Sequence, residues 1–174
     1  MTNLRFFWVG AMLIFISHGS QAAEFAKGPL IKDYGPVASV PDNRIGSQSV
    51  FRVAFDIAEA ARRGKVNRSM ESAARFLNMH AAAGVPADNL SVALVIHGPA
   101  ALDVVNSSRF GGENPNAGLV SALIEAGVTI ELCGQTAAAR GISSSDLLPG
   151  VEMSLSAITA HALLQQRGYT LNPF

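Results

Sequence analysis

The segment that decides the fold is VTIELCGQTAAARG, residues 128–141. It begins with β-branched and apolar residues that favour a strand, and at Gly134 it changes to an alanine-rich run that favours a helix. Cys133, the single cysteine of the chain, lies at this change. In an α/β protein the carboxyl end of a strand, just before a helix, is where ligands and reacting groups usually collect. The segment therefore predicts an α/β fold with Cys133 at its functional site.

Strand and helix patterns alternate on both sides of this segment. The predicted strands share apolar, β-branched runs and occupy residues 50–57, 90–96, 128–133 and 151–155, and residues 169–174 can add an edge strand. Helical patterns with an apolar stripe fill the longer intervals, at about residues 67–83, 114–127 and 156–167. Strands that are separated by helices indicate βαβ units. The pattern therefore predicts a mostly parallel sheet of about five strands with helices on both faces.

The composition is that of one compact domain. The chain has 174 residues, of which 49% are hydrophobic and 15% charged, so it can bury a substantial core and is not expected to be disordered. The 13 basic and 13 acidic residues give a formal net charge of zero. The sequence has no basic stripe, so binding to nucleic acid is not expected, and it has no acidic tract that would indicate a solvating tail.

Residues 1–22 are predicted to be a cleaved signal peptide. Arg5 provides a positive start, residues 6–16 form an apolar run, and Ser20 and Ala22 suit signal peptidase. The alternative is a membrane anchor, but a bilayer span needs about 20 apolar residues, so cleavage is favoured. The mature protein is then expected to be periplasmic or secreted, with no attachment to a membrane.

The rest of the chain divides into an arm and a domain. Residues 23–49 contain several Gly-Pro and Pro-Asp pairs and neither a helical nor a strand period. They predict an extended N-terminal arm that packs on the domain or on a neighbouring subunit, with a flexible leader as the alternative for its first part. Residues 50–174 form the predicted α/β domain.

Export makes the single cysteine informative. Oxidising compartments favour disulfides, yet this chain has no second cysteine to pair with. Cys133 is therefore either a buried, inert side chain or a reactive thiol. The amides of Gly134, Gln135 and Thr136 would begin the next helix, and a helix N-terminus stabilises a thiolate. We favour the reactive thiol and keep the buried structural cysteine as the alternative.

Two other polar residues are predicted beside Cys133. Right-handed crossovers place the carboxyl ends of parallel strands on one edge of the sheet, and Asp56 and His97 end two other strands. We call this edge, formed by the carboxyl ends of the strands, the rim. His97 can orient or protonate a group that is bound to sulfur, or it can simply satisfy a backbone carbonyl.

Further candidates are weighed in the same way. Gly134, Gln135 and Asn116 are added as candidate binding residues, although Asn116 also suits a cap or turn. His80 and His161 are expected to be packed or half-exposed helix histidines. The histidines and Cys133 do not have metal-ligand spacing, so no metal site is predicted. The chain lacks phosphate-loop and dinucleotide motifs, so no cofactor is predicted either.

Six short motifs within residues 50–174 are shared with a known family. They are RFLN (75–78), VIHGP (95–99), NPN (114–116), LCGQ (132–135), AAARG (137–141) and GYTLNPF (168–174). Through them the chain resembles the DsrE/DsrF-like family of sulfur-trafficking proteins. In several members a cysteine, followed by an alanine-rich turn and Arg-Gly, accepts sulfur as a persulfide and passes it to a partner protein. Cys133 has the matching position.

The resemblance has further implications for fold and assembly. It implies a three-layer α/β/α fold and a ring-like homo-oligomer, a dimer, trimer or hexamer. The predicted signal peptide is a departure, because the best understood relatives act in the cytoplasm as hetero-oligomers. Their particular partners are therefore not transferred to this chain.

These observations support one leading hypothesis and two alternatives. The first is an exported sulfur carrier, sulfurtransferase-like rather than a turnover enzyme, with sulfane sulfur on Cys133, help from His97, and separate sulfur donor and acceptor proteins. The second is a non-catalytic oligomeric binding module in which Cys133 is buried. A cysteine hydrolase built from Cys133, His97 and Asp56 is a distant third.

Overall fold

The computed structural model describes residues 23–172 and has a five-stranded, all-parallel sheet at its centre. The strands are β1 (Phe51–Ile57), β2 (Leu90–Ile96), β3 (Thr129–Cys133), β4 (Val151–Ser154) and β5 (Thr170–Asn172). Their order across the sheet is β4-β3-β2-β1-β5. The predicted α/β fold with a parallel sheet of about five strands is confirmed.

Five α-helices connect or flank the strands. They are α1 (Arg68–Ala82), α2 (Ser107–Phe110), α3 (Ala117–Glu125), α4 (Gly134–Arg140) and α5 (Ala157–Gln166). Short 3-10 helices occupy Ala87–Asn89, Gly98–Val104 and Ser144–Asp146. None of the helices within residues 23–172 is long and apolar enough to cross a membrane.

Two local predictions differ from the structure. Residues 106–113, which lie outside the predicted strands and helices, contain the single turn α2, because the Asn106 side chain accepts a hydrogen bond from the Arg109 amide at 3.0 Å. Helix α3 begins at Ala117 and not directly after Asn114. The side-chain amide of Asn114 instead donates to the backbone carbonyls of Leu102, Asp103 and Val105, the last at 2.8 Å.

The local sequence explains where helix α1 begins and which side of it is buried. The Asn67 side chain accepts hydrogen bonds from the Ser69 and Met70 amides, and Glu71 lies favourably in the first turn. Met70, Ala73, Ala74 and Leu77 are spaced to lie on one side of the helix, and all are buried. This stripe packs on the sheet.

The strand register divides the sheet into two different faces. Phe55 pairs with Leu94 and is buried in one large apolar core with residues of α1 and α3. Ala54 pairs with Ala93 on the opposite face, where a small core is completed by α5. Helices thus lie on both sides of the sheet. We refer to these as the α1/α3 face and the α5 face.

The N-terminal arm packs on helix α1. Ile31 and Val37 are buried, and Ala26 and Val37 form an isolated antiparallel bridge. The buried Asn78 of α1 holds the arm by accepting from the Ile31 amide at 2.9 Å and donating to carbonyls of the same segment, including that of Gly35 at 3.0 Å. The predicted signal peptide, residues 1–22, lies outside the described residues.

Candidate functional site

Cys133 is the last residue of β3 and immediately precedes α4. Its side chain is only 6% exposed. Gly134 is required at the next position by a close backbone approach, because a Cβ there would lie 2.5 Å from the Ser154 carbonyl oxygen. The end of β4 therefore packs directly on the beginning of α4, and protein backbone occupies the space beside Gly134.

The sulfur of Cys133 lies where the N-termini of two helices meet. The amides of Gln135 and Thr136 in α4 and of Ala157 in α5, and the Thr136 hydroxyl, lie near enough to stabilise a thiolate there. Burial by itself raises the pKa of the Cys133 thiol, but these four donor groups together lower it below its ordinary value. The surroundings of Cys133 thus favour the thiolate, which is the nucleophilic form.

Thr136 connects the sulfur to the chain that follows β2. Its hydroxyl oxygen accepts a hydrogen bond from the Gly98 amide at 3.2 Å. Because that amide supplies the oxygen with a donor, the hydroxyl proton is free to point at the Cys133 sulfur. This two-step connection joins the Cys133 site to the residue next to His97.

Asp56 and two histidines form a second polar cluster. The Oδ1 atom of Asp56 accepts from His97 Nε2 at 3.1 Å and from His161 Nε2 at 2.8 Å. Asp56 is the penultimate residue of β1 and His97 directly follows the neighbouring β2, so both lie on the rim, whereas His161 reaches them from α5. We call these three residues the His-Asp-His cluster.

The cluster keeps its carboxylate ionised. Burial by itself raises the pKa of Asp56, but the hydrogen bonds and charges of His161 and His97 lower it below its usual range. Asp56 therefore accepts from both rings. In the part of the chain that the structure describes, the buried Nδ1 atom of His161 has no hydrogen-bond partner.

His161 is a functional candidate that the sequence prediction missed. It was expected to be an ordinary packed or half-exposed helix histidine. The available signal was its spacing, since Ala157, Ala160 and Leu164 fall on the same side of α5 and pack on the sheet. His161 lies between them and so points toward the end of β1.

The remaining candidates have these positions. The Gln135 side chain donates to the Leu155 carbonyl at 3.3 Å and so lies beside the end of β4. Asn116 is buried, and its side-chain oxygen accepts from the Asn67 amide at 2.7 Å. A ligand-binding role for Asn116 remains a prediction. Within residues 23–172, Cys133 and His97 are not joined by a hydrogen bond, and the structure has no cluster of metal-ligating side chains.

Comparisons with known proteins place this geometry in context. The model of the DsrE/DsrF-like family matches residues 49–173, most of the chain. No curated protein matches. The fold is similar to that of a protein of unknown function, MTH1491 from Methanobacterium thermoautotrophicum, with a TM-score of 0.52 and 24% identity over 71% of this chain and 99% of that chain. It is also similar to the ychN protein from E. coli, with a TM-score of 0.55 and 17% identity over 72% of this chain and 100% of that chain.

Proposed function

We propose, because this chain belongs to the DsrE/DsrF-like family, that it carries sulfane sulfur as a persulfide on Cys133. Membership of this family suggests a role related to sulfur relay. The observation that carries the finer proposal is the place of Cys133 at the end of β3, beside the first amides of α4 and α5 and the Thr136 hydroxyl, which lower the pKa of its thiol. A thiolate is the form of cysteine that attacks sulfur.

The loading reaction needs no added oxidant or reductant. The Cys133 thiolate attacks the outer sulfur of a donor persulfide R–S–SH, the bond between Cys133 and that sulfur forms, and the R–S bond breaks. The products are the Cys133 persulfide and the donor thiolate, R–S⁻. In the unloading reaction an acceptor thiolate attacks the outer sulfur of the loaded protein, which restores the Cys133 thiolate and leaves the acceptor as a persulfide. One zero-valent sulfur atom is moved in each step.

His97 is proposed to assist these transfers. Its Nε2–H donates to Asp56, so the ring is held in one orientation with Nδ1 on the opposite side. A ring that also carries a proton on Nδ1 can give that proton to a leaving thiolate and recover it in the reverse step. The Asp56 carboxylate, which also accepts from His161, is proposed to orient the His97 ring.

The protein is proposed to be an exported carrier rather than a turnover enzyme. It would act on a donor and an acceptor protein and would not itself release a product. The export part of the proposal depends on residues 1–22 and is tested by N-terminal sequencing of the mature protein, which is expected to begin near residue 23.

A homo-oligomer is proposed from the outer surface of α5. Ile158 of α5 is 84% exposed, and Leu163 of the same helix and Leu155 just before it are also exposed, so this surface presents several apolar side chains to solvent. A second copy of the chain would cover them. Sedimentation of the wild type is expected to show an oligomer, and the Ile158→Glu variant is expected to sediment as a monomer. Equal masses for the two proteins would contradict the proposal.

The carrier proposal is tested by intact mass spectrometry. The purified protein is incubated with a small persulfide donor and is expected to gain one sulfur atom that a reducing thiol removes. The matched control is Cys133→Ser, which keeps the size and hydrogen-bonding capacity of the side chain. If wild type and Cys133→Ser gain the same labile sulfur, or none, the carrier proposal is wrong.

The small exposure of Cys133 favours a second candidate, a non-catalytic binding module with a structural cysteine. The two candidates differ in how fast a small thiol reagent labels the native protein. Rapid labelling under native conditions supports the carrier. Complete protection until the protein unfolds supports the binding module.

A further inference from the structure

A group of cations follows β1 directly in the chain. Arg62, Arg63, Lys65 and Arg68 supply four positive charges within seven residues, and all four side chains are exposed. Among residues 23–172, none of them has a carboxylate within 4.0 Å. We call residues 61–68 the basic loop. Its positive charge is concentrated in one place, although the whole chain has no net charge.

The basic loop is held in a defined shape. The Lys65 amide donates to the Arg62 carbonyl at 2.9 Å, and Gly64, with φ of +68°, makes the tight turn between them. Both ends of the loop are attached to the buried carboxylate of Asp103, by the Ala61 amide at 2.7 Å and by the Asn67 side chain at 2.7 Å. A loop that is already ordered loses less conformational entropy when it binds a partner.

The basic loop also borders a recess in the surface. A cavity of about 440 Å³ is lined by residues that include Arg62, Lys65, Arg68, Ser69 and Glu71. The beginning of α1 forms part of this lining, so the positive end of a 15-residue helix adds to the charge of the side chains. The recess therefore offers a positive, concave surface.

The position of the loop relates it to Cys133. The loop follows the carboxyl end of β1, and Cys133 ends β3, two strands away on the same rim. With neighbouring strands about 4.8 Å apart, the two strand ends are separated by roughly 10 Å. A protein interface of ordinary size buries about 800 Å² on each partner, so one bound protein can cover both places.

We propose that the basic loop is a docking surface for an acidic segment of the protein that exchanges sulfur with Cys133. This inference rests on the proposed function and specifies the chemistry of the partner. An acidic protein segment fits better than nucleic acid, because the positive charge is confined to one loop and no extended basic stripe is present to follow a continuous phosphate backbone.

Binding is measured by fluorescence anisotropy with a labelled peptide rich in Asp and Glu and with its Asn and Gln analogue. The acidic peptide is expected to bind the triple variant Arg62→Gln, Arg63→Gln, Lys65→Gln about tenfold more weakly than wild type, and binding to wild type is expected to weaken with salt. The matched control removes three exposed charges elsewhere, by Lys32→Gln, Arg44→Gln and Arg167→Gln, and should bind like wild type.

Three results overturn the proposal. The first is equal binding of the acidic peptide to wild type and to the triple variant, and the second is an equal loss in the control variant. The third is displacement of the peptide by a single-stranded oligonucleotide of the same charge at a lower concentration, which would assign the surface to nucleic acid.

A transfer measurement separates this inference from the proposed function. Loaded protein is mixed with an acidic peptide that contains one cysteine, and the peptide persulfide is followed by mass spectrometry. Wild type is expected to transfer sulfur faster than the triple variant to the acidic peptide and at the same rate to a neutral peptide. If Cys133 never accepts sulfur but the acidic peptide still binds at the basic loop, the carrier proposal fails and the docking surface stands. If sulfur is transferred to the acidic and the neutral peptide at the same rate, the docking role fails and the carrier proposal stands.

Discussion

The two faces of the parallel sheet differ in packing and in chemistry. On the α1/α3 face, large side chains such as Phe55, Leu94 and Leu132 are almost fully buried in one extensive core. On the α5 face, the core is small and consists of Ala54, Ala93, Val95, Ala160 and Leu164. Both strand alternation and register place Asp56 and Cys133 on this second face, since Asp56 pairs with Val95 and Cys133 follows Glu131 by two positions.

The difference shows how the fold separates stability from reactivity. Most of the apolar burial takes place on the α1/α3 face, and the hydrophobic effect scales roughly with the apolar area removed from water. The α5 face is covered by one helix of ten residues and retains the polar cluster and the thiol. A face that contributes less to the core can hold charged and reactive groups at a smaller cost in stability.

The largest effect is expected from truncating one leucine on each face. Leu94 and Leu164 are both almost fully buried, so Leu94→Ala and Leu164→Ala remove the same atoms from comparable burial. We expect Leu94→Ala to lower the free energy of unfolding by about 4 kcal/mol and Leu164→Ala by about 2 kcal/mol, because the thinner α5 layer can relax into the cavity. Urea unfolding measures both. Equal losses would contradict the unequal contribution of the two faces.

The next largest effect is expected from adding one methyl group beside Cys133. In Gly134→Ala the new Cβ meets the Ser154 carbonyl oxygen at 2.5 Å, so the end of β4 and the beginning of α4 must separate. The expected loss is about 1–3 kcal/mol of unfolding free energy, with slower native thiol labelling because the amides no longer surround the sulfur. Gly46→Ala is the control, since nothing lies within 4 Å of its added methyl group. A fully stable Gly134→Ala protein with normal labelling would contradict the described contact.

A smaller effect is expected from removing the Thr136 hydroxyl, which helps to lower the pKa of the Cys133 thiol. Thr136→Val keeps the shape of the side chain but removes the donor, so the pKa of the Cys133 thiol should rise. Thiol labelling across a pH series should then show a titration displaced to higher pH, and Thr136→Ser should restore it. If Val and Ser behave alike, the hydroxyl does not stabilise the thiolate.

The smallest effect concerns the pH dependence of stability at the His-Asp-His cluster. The folded protein lowers the pKa of Asp56, so its contribution to stability is present above about pH 3.8, the ordinary value, and is lost as the pH falls through the lowered folded-state pKa. Because the Asp56 side chain is 40% exposed, this contribution should be below about 1 kcal/mol. Between pH 5 and pH 2 the free energy of unfolding of the wild type should therefore fall more than that of Asp56→Asn, by that amount. An identical pH profile for the two proteins would show that the histidines do not stabilise the carboxylate.

The fold was predictable because each strand and helix is specified by the pattern of residues within its own short segment. The strand at residues 90–96 is an almost uninterrupted apolar run, the α1 pattern has a cap and an apolar stripe, and strands alternate with helices. The same reasoning placed Cys133 at a strand-to-helix junction. Asp56 and His97 were placed correctly on one rim because parallel strands end on the same side.

The missing parts of the site depend on distant contacts. His161 hydrogen-bonds to Asp56 across 105 positions, and its approach depends on the path of α5 across the sheet, which no local pattern specifies. The Ala157 group that helps to lower the pKa of Cys133 is a backbone amide, so the identity of that side chain carried no signal. Sequence patterns predict elements and their order, whereas these contacts follow from how the elements pack.

The pairing of β1 with β5 has a consequence for the order of folding. Strands β1 to β4 are neighbours in sequence order as well as in space, so they can be added one βαβ unit at a time. Strand β5 must instead return to β1, where the Thr170 hydroxyl donates to the Arg52 carbonyl 118 positions earlier. We expect α5 and β5 to join last, and their amides to exchange with solvent hydrogen before those of β2. The site on Cys133 and Asp56, which both depend on α5, is then assembled only in the final step of folding.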